Sequence, residues 1–72
     1  MNIYVGYKFD MEDFMNIIVT TDFDKCEKHL LTYMELSKGD YDYGIEIWNN
    51  EKCIHGLIYD KGSKRFVDLR NF

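Results

Sequence analysis

Hydrophobic and polar residues alternate along the first part of the chain. From residue 3 to residue 9 the odd positions are Ile, Val, Tyr and Phe, and the even positions are Tyr, Gly and Lys. A period of two is typical of a half-buried β-strand. After an acidic break at residues 10–13, residues 14–20 are short, rich in β-branched side chains and apolar on both parities. This second segment is predicted to be a strand that pairs with the first and lies centrally in a sheet.

Apolar residues then recur at helical spacing. Thr21, followed by acidic residues at 22 and 24, predicts the start of a helix, because a hydroxyl can accept a free backbone N–H and acids favour the first turn. Lys38 and Gly39 predict the end of the helix near Ser37. The stripe expected to face the core consists of Phe23, Cys26, Leu30, Tyr33 and Met34.

Alternation returns in the second half of the chain. Residues 41–48 and 53–59 alternate on either side of a turn at 49–52, and a second turn at 60–63 precedes a last strand at 64–69. The predicted order is β-β-α-β-β-(β). Its short connections indicate an α+β fold, in which a mostly antiparallel sheet of four to five strands carries one helix packed on one face. The length allows a single domain, residues 1–72.

The predicted sheet is too wide for its helix. A helix is about 10 Å across and strands lie about 4.8 Å apart, so one helix leaves part of the sheet bare. Because large apolar residues occupy both strand parities, we expect an uncovered second face that a homodimer or a partner protein covers, with Trp48 or Ile54 near the contact. A β-bulge or a register slip that returns some of these residues to the core is the alternative. The residues expected at this aromatic and apolar interface are Tyr4, Tyr41, Tyr43, Trp48 and Ile54.

Charge is distributed unevenly along the chain. Residues 1–36 hold seven acids and three bases and residues 37–72 hold six of each, so the net charge of −4 resides in the first half. The predicted topology gathers six carboxylates at one end of the sheet, where they would attract a basic protein surface and repel nucleic acid. A solvated acidic rim that serves only solubility is the alternative. The expected acidic patch consists of Asp10, Glu12, Asp13, Glu35, Asp40 and Asp42.

Metal and catalytic motifs are weak. Cys26 and His29 stand three apart, and Cys53 and His55 stand two apart, but neither pair has a common zinc-finger spacing. A zinc site formed by these four residues is a minor hypothesis. Neither cysteine has neighbours of the kind that would make it a nucleophile. No catalytic residue and no cofactor is therefore predicted, and the protein is expected not to be an enzyme.

A calcium loop is also disfavoured. Asp40, Asp42 and Glu51 match the first, third and twelfth positions of such a loop, yet the required glycine at the sixth position is Ile45. A looser cation site near Asp40 and Asp42 is left open.

The composition bears on partners and compartment. The apolar runs are too short to cross a bilayer, and the first residues lack the features of a secretory signal, so we expect a cytoplasmic protein with reduced thiols. Direct nucleic-acid binding is disfavoured in an acidic chain. Its main basic concentration is Lys61, Lys64, Arg65 and Arg70.

Three segments support a resemblance. Residues 3–7 (IYVGY), 19–25 (VTTDFDK) and 45–48 (IEIW) resemble, in layout over most of the chain, the small β-β-α-β orphan proteins encoded by phages and their bacterial hosts. The resemblance implies inhibitors of host enzymes and defence nucleases, including anti-CRISPR proteins, which act by occupying a nucleic-acid or partner surface. It therefore favours a binding protein that inhibits a larger host protein with a basic surface. The alternatives are a homo-oligomeric ligand-binding or regulatory module and a small metal-binding protein.

Overall fold

The computed structural model describes residues 1–37 and 40–68, which form the predicted α+β fold. The sheet is antiparallel with the strand order β2-β1-β3-β4-β5. Lys38, Gly39, Leu69 and Arg70 lie outside the described residues. The elements are β1 (Ile3–Phe9), β2 (Phe14–Thr20), α1 (Phe23–Leu36), β3 (Asp42–Asn49), β4 (Lys52–Asp60) and β5 (Arg65–Asp68).

The position predicted for β2 is wrong, because this strand lies at an edge of the sheet. Its pairing with β1 shifts register between Gly6 and Tyr7: Gly6 pairs with Ile18, and Tyr7 pairs with Asn16. The extra residue, Ile17, forms a β-bulge that changes which parity faces each side of the sheet. Apolar residues on both parities of β2 therefore reflect a bulge at an edge and not a strand buried on both faces.

The helix begins one residue later than the sequence predicts. Asp22, not Thr21, is the N-cap, and its Oδ1 accepts the backbone N–H of Lys25 at 3.2 Å. Thr20 contributes through its Oγ1, which accepts the backbone N–H of Asp22. A carboxylate at the N-cap also interacts favourably with the helix dipole, which explains why aspartate takes the capping role. The predicted end is confirmed, since Ser37 is the C-cap.

The helix packs against β1, β2 and, less extensively, β3. Gly6 permits this contact, because a Cβ at that position would lie 2.9 Å from the side chains of both Ile18 and Leu30. The predicted stripe is confirmed: Cys26 and Leu30 are fully buried, and the other members of the stripe pack against them. Tyr43 and Ile45 of β3 complete the core cluster beneath the helix.

The opposite side of the sheet carries no covering element among residues 1–37 and 40–68. Side chains alternate between the two sides of a strand, so the registers assign each residue to a side. We call this uncovered side the open face. Its larger apolar residues are Ile3, Val5, Tyr7, Phe9, Phe14, Val19, Trp48, Ile54, Ile58 and Val67.

Two tight turns connect the last three strands. Asn50 and Glu51 link β3 to β4 with φ of 50° and 66°, as a two-residue type I′ hairpin requires. The β4–β5 turn is organised by Asp60, whose carboxylate accepts the backbone N–H groups of Gly62 and Ser63 and the hydroxyl of Ser63. These hydrogen bonds hold the pKa of Asp60 below its ordinary value, the Ser63 hydroxyl contributing most.

The helix packing leads to a stability prediction. Replacing the fully buried Leu30 with alanine should lower the free energy of unfolding by about 2–4 kcal/mol, because it removes apolar contacts and leaves a cavity. The exposed Lys28→Ala variant should change it by less than about 0.5 kcal/mol. Urea denaturation monitored by circular dichroism would measure both, and equal effects would contradict this placement of the helix.

Candidate binding surface

The open face exposes an unusual amount of apolar side chain for so small a protein. Phe14, Val19 and Ile54 are 61 %, 62 % and 53 % exposed, and Ile3 is 43 % exposed. Soluble monomers rarely expose large contiguous apolar patches unless the patch binds something. The second apolar face predicted from the strand parities is therefore present, although some of the expected residues lie elsewhere.

Three aromatic rings form one half of the open face. Tyr7 stacks on Phe14 with the ring centroids 4.9 Å apart, and it contacts Phe9 at 5.7 Å. The Tyr7 ring also lies against Gly44, so that a Cβ there would collide with the ring. Burial raises the pKa of the Tyr7 hydroxyl above its ordinary value, with smaller effects from Glu46 and Cys53. The phenol is therefore neutral at physiological pH, and the ring is held by its contacts with Phe9, Phe14 and Gly44.

Trp48 borders a depression at the other end of the open face. The cavity measures about 280 Å³, and its lining includes Met1, Ile3 and Val5 next to Trp48. Trp48 donates its indole N–H to Glu46 at 3.4 Å, a long hydrogen bond that leaves the ring available for packing. A depression of this size can accommodate an aromatic or branched aliphatic side chain of a partner.

The acidic turn between β1 and β2 has an internal organisation. The Oδ1 atom of Asp10 accepts the backbone N–H groups of Glu12 at 2.8 Å and Asp13 at 2.7 Å. These hydrogen bonds hold the pKa of Asp10 below its ordinary value. Asp10 thus has a structural role, and Glu12 and Asp13 present their exposed carboxylates to solvent.

The other acids of the predicted patch lie at the same end of the sheet. Phe9 pairs with Asp42, which places the start of β3 beside the acidic turn. Lys61 reaches this end from the β4–β5 turn and lies 2.8 Å from Asp40 and 3.8 Å from Asp42. Its ammonium group holds the pKa of Asp40 below the ordinary value. Lys61 therefore partly neutralises Asp40 and Asp42, an ion pair that the sequence did not suggest.

Lys8 and Glu35 lie at the acidic end of the sheet, on the side that carries the helix. The Lys8 ammonium lies 4.2 Å from the ring centroid of Tyr41 and 5.3 Å from that of Tyr33, and a hydrogen bond to Tyr33 is the main cause of its raised pKa. Glu35 is exposed in the last turn of α1, which returns to this end. The acidic end thus retains Glu12, Asp13 and Glu35 as carboxylates without a described ion pair.

The predicted aromatic interface is divided between the two sides of the sheet. Trp48 lies on the open face. Ile54 is the extra residue of a second β-bulge, between the pairs Ile47–His55 and Trp48–Cys53, and it shares the parity of Ile58 on the open face. Tyr4 contacts Phe23 of the helix edge to face, and Tyr43, 5 % exposed, packs in the core against Tyr33. Tyr41 lies under Lys8, also away from the open face.

Three residues of the open face are absent from the interface predicted from the sequence: Tyr7, Phe14 and Val19. The parity of β1 could have indicated Tyr7, because it shares that parity with Ile3 and Val5. Phe14 and Val19 lie on opposite parities of β2 and share a side only because of the bulge. No signal in the sequence located that bulge.

The four candidate metal ligands are not brought together. Cys26 is buried under the helix, whereas Cys53 pairs with Trp48 and is exposed. His29 lies on the exposed surface of α1, and His55 pairs with Asp68 of β5. Within residues 1–37 and 40–68, no three side chains of His, Cys, Asp or Glu are arranged to hold a metal ion. Asp42 lies in a strand and Glu51 in a hairpin turn, which is incompatible with a calcium loop.

Comparison with known proteins adds no functional assignment. Neither a protein-family model, nor a curated protein, nor a solved structure matches this chain. Among the described residues, no helix is long and apolar enough to span a bilayer. The open face and the charges around it are therefore the features of the molecule that bear on its function.

The contact between Tyr7 and Gly44 can be tested by a small substitution. In Gly44→Ala the new Cβ would collide with the Tyr7 ring and lie 2.9 Å from the carbonyl oxygen of Leu57, so the free energy of unfolding should fall by about 1–3 kcal/mol. Gly62→Ala is the matched control, because its Cβ would lie no closer than 3.5 Å to a neighbouring atom, and it should stay within about 0.5 kcal/mol. Thermal unfolding would compare them, and a neutral Gly44→Ala would contradict the ring position.

The cysteines should differ in reactivity. Burial, with a smaller effect from Glu27, raises the pKa of the Cys26 thiol to about 11, so this thiol is both shielded and protonated at pH 8. A disulfide reagent such as DTNB should therefore titrate one thiol, Cys53, in the folded protein and two after denaturation. In Cys53→Ser the folded protein should show none, and rapid labelling of that variant would contradict the burial of Cys26.

Proposed function

We propose that this protein is a non-enzymatic binding protein of phage or mobile-element type that inhibits a larger protein of the host cytoplasm by occupying its surface. The observation that carries the proposal is the open face, on which exposed apolar residues and a depression beside Trp48 lie on a fixed sheet. A surface of this composition suits protein recognition, where aromatic anchors supply most of the binding energy. The resemblance in layout to small phage proteins supports the inhibitory role.

The charge of the protein indicates the chemistry of the target. Glu12 and Asp13 project from the end of the sheet that also carries Asp40 and Asp42, so approach to a basic surface would be favoured electrostatically. A host protein that binds nucleic acid, such as a defence nuclease, offers a basic surface of that kind. Lys61 weakens this field near Asp40 and Asp42, which leaves the acidic turn as the stronger source of attraction.

Free copies are proposed to form a homodimer. Exposed apolar side chains such as Phe14 and Val19 are costly to leave in water, and a protein of this size has a small core of its own. A homo-oligomeric module that binds a ligand remains the alternative function. The Trp48 depression favours that alternative if it accepts a small apolar molecule and not a side chain of a protein.

The proposed use of the open face can be tested once a target has been captured from host lysate with the tagged protein. Trp48→Ala and Ile54→Ala should each raise the dissociation rate of the complex at least about tenfold, because they truncate interface anchors. Leu36→Ala is the matched control, since Leu36 is an aliphatic residue 78 % exposed on the helix, and it should leave the rate unchanged. Surface plasmon resonance would measure the rates, and equal effects in all three variants would contradict a target site on the open face.

The role of the acidic turn requires a separate measurement. Glu12→Gln with Asp13→Asn should slow association with the target and reduce its dependence on salt, because exposed charges are screened over about 8–10 Å at physiological ionic strength. The control pair, Asp24→Asn with Glu27→Gln, removes the same formal charge from the helix. If both pairs change the association rate equally, only net charge matters and the acids form a solvated rim.

A further inference from the structure

The exposed edge of β2 lacks the usual protection against pairing with another strand. An edge strand presents unpaired backbone N–H and C=O groups, and proteins normally protect such edges with charged residues, prolines or short strands. The seven residues of β2 include no charged residue and no proline. Phe14, Met15 and Val19 are exposed along it. The bulge at Ile17 is the one protective feature of this strand.

Basic residues of the helix lie beside the edge at the end where β2 finishes. Lys25, Lys28 and His29 line a depression of about 380 Å³ together with Ile18 of β2. The described lining of this depression includes no acidic side chain. Asp22, which lies close by in sequence, uses its carboxylate to cap the helix. The C-terminal end of the β2 edge is therefore flanked by positive charge.

The opposite end of the same edge is negative. β2 begins at Phe14, directly after the acidic turn that exposes Glu12 and Asp13. The edge therefore runs from an acidic end to a basic end over seven residues, which is about 23 Å of strand. An antiparallel pair of such edges brings the acidic end of each strand to the basic end of the other.

We propose that two copies of this chain associate through their β2 edges, antiparallel and related by a two-fold axis near Ile17, to form one continuous ten-stranded sheet. Glu12 and Asp13 of each copy then lie beside Lys25 and Lys28 of the other, and this complementary pair of contacts occurs twice. Phe14 of each copy lies alongside Val19 of the second copy on the open face, which covers part of the two most exposed apolar side chains of the strand. The backbone groups of the edge gain hydrogen-bond partners, as in other strand additions.

This arrangement specifies a surface for the proposed self-association and leaves the centre of the open face free. A two-fold axis perpendicular to a sheet keeps the two open faces on the same side. The Trp48 depressions remain exposed in the dimer, because β3 is two strands away from β2. This contact replaces the one that the sequence suggested near Trp48 or Ile54. The inference rests on the self-association part of the proposed function and not on the inhibition of a target.

A charge-exchange experiment tests the contact. One full-length variant carries Glu12→Lys and Asp13→Lys, and the other carries Lys25→Glu and Lys28→Glu. In either variant alone, the two copies would present like charges to each other, so the dimer dissociation constant should rise at least about tenfold. In an equimolar mixture the variants should form a heterodimer at least as tight as the original dimer, because both contacts are again complementary. Analytical ultracentrifugation gives the stoichiometry, and native mass spectrometry resolves the heterodimer by mass.

Folding and the competing surface are controlled separately. Circular dichroism and thermal unfolding of each variant exclude misfolding, and recovery of the heterodimer on mixing shows that both variants are competent to associate. Ile54→Lys, at the far part of the open face, should leave the original dimer intact. The inference is overturned if the original protein is monomeric at high micromolar concentration. It is equally overturned if Ile54→Lys dissociates the dimer while the charge variants do not, which would place the contact face to face. The proposed inhibition is tested separately, by the rate at which the Trp48→Ala variant dissociates from a captured target. That rate does not depend on the β2 contact, so each proposal can fail while the other stands.

Discussion

The close contact between Leu30 and Gly6 determines where the helix lies, and the rest of the structure depends on it. Because glycine has no Cβ, Leu30 can approach the backbone of β1, and Ile18 of β2 packs against the same point. The helix is thereby positioned over the first two strands and reaches β3 only in part. A larger residue at position 6 would push the helix away from the sheet and so expose Cys26 and Leu30, the two helix residues that are fully buried. The uncovered side of the sheet is a consequence of having one helix in this position.

Most of the fold could be predicted from local patterns. The strand bounds of β1 and β2, the buried stripe of α1 and the hairpin at residues 49–52 depend on side-chain periodicity and turn chemistry, which act over a few residues. The order of the strands and the bulge at Ile17 could not be predicted in this way. They depend on which strands pair over long separations, and the apolar residues on both parities of β2 misled the sequence analysis about its position.

The candidate surface was predicted in outline but not residue by residue. Trp48 and Ile54 lie on the open face, whereas Tyr4 and Tyr43 face the helix side because the register of β1 with β3 places them there. Tyr41, just before β3, packs against the core cluster. The register of β1 with β3 brings the start of β3 beside the acidic turn, since turns at the same end of antiparallel strands must be neighbours. The electrostatics of this end were less predictable, because the approach of Lys61 to Asp40 depends on a turn 21 residues further along the chain.

Because its core is small, the lifetime of this protein depends on whether it is bound to another molecule. Among the described residues, the buried hydrophobic side chains are Tyr7, Cys26, Leu30, Tyr43 and Ile45, a core that leaves little margin against unfolding. Anything that binds the folded chain and covers the open face adds to its stability by mass action. Unbound copies would unfold more often and be degraded sooner than bound copies. If the protein binds a target as proposed, its amount in the cell would follow the amount of that target, without any separate control of its synthesis.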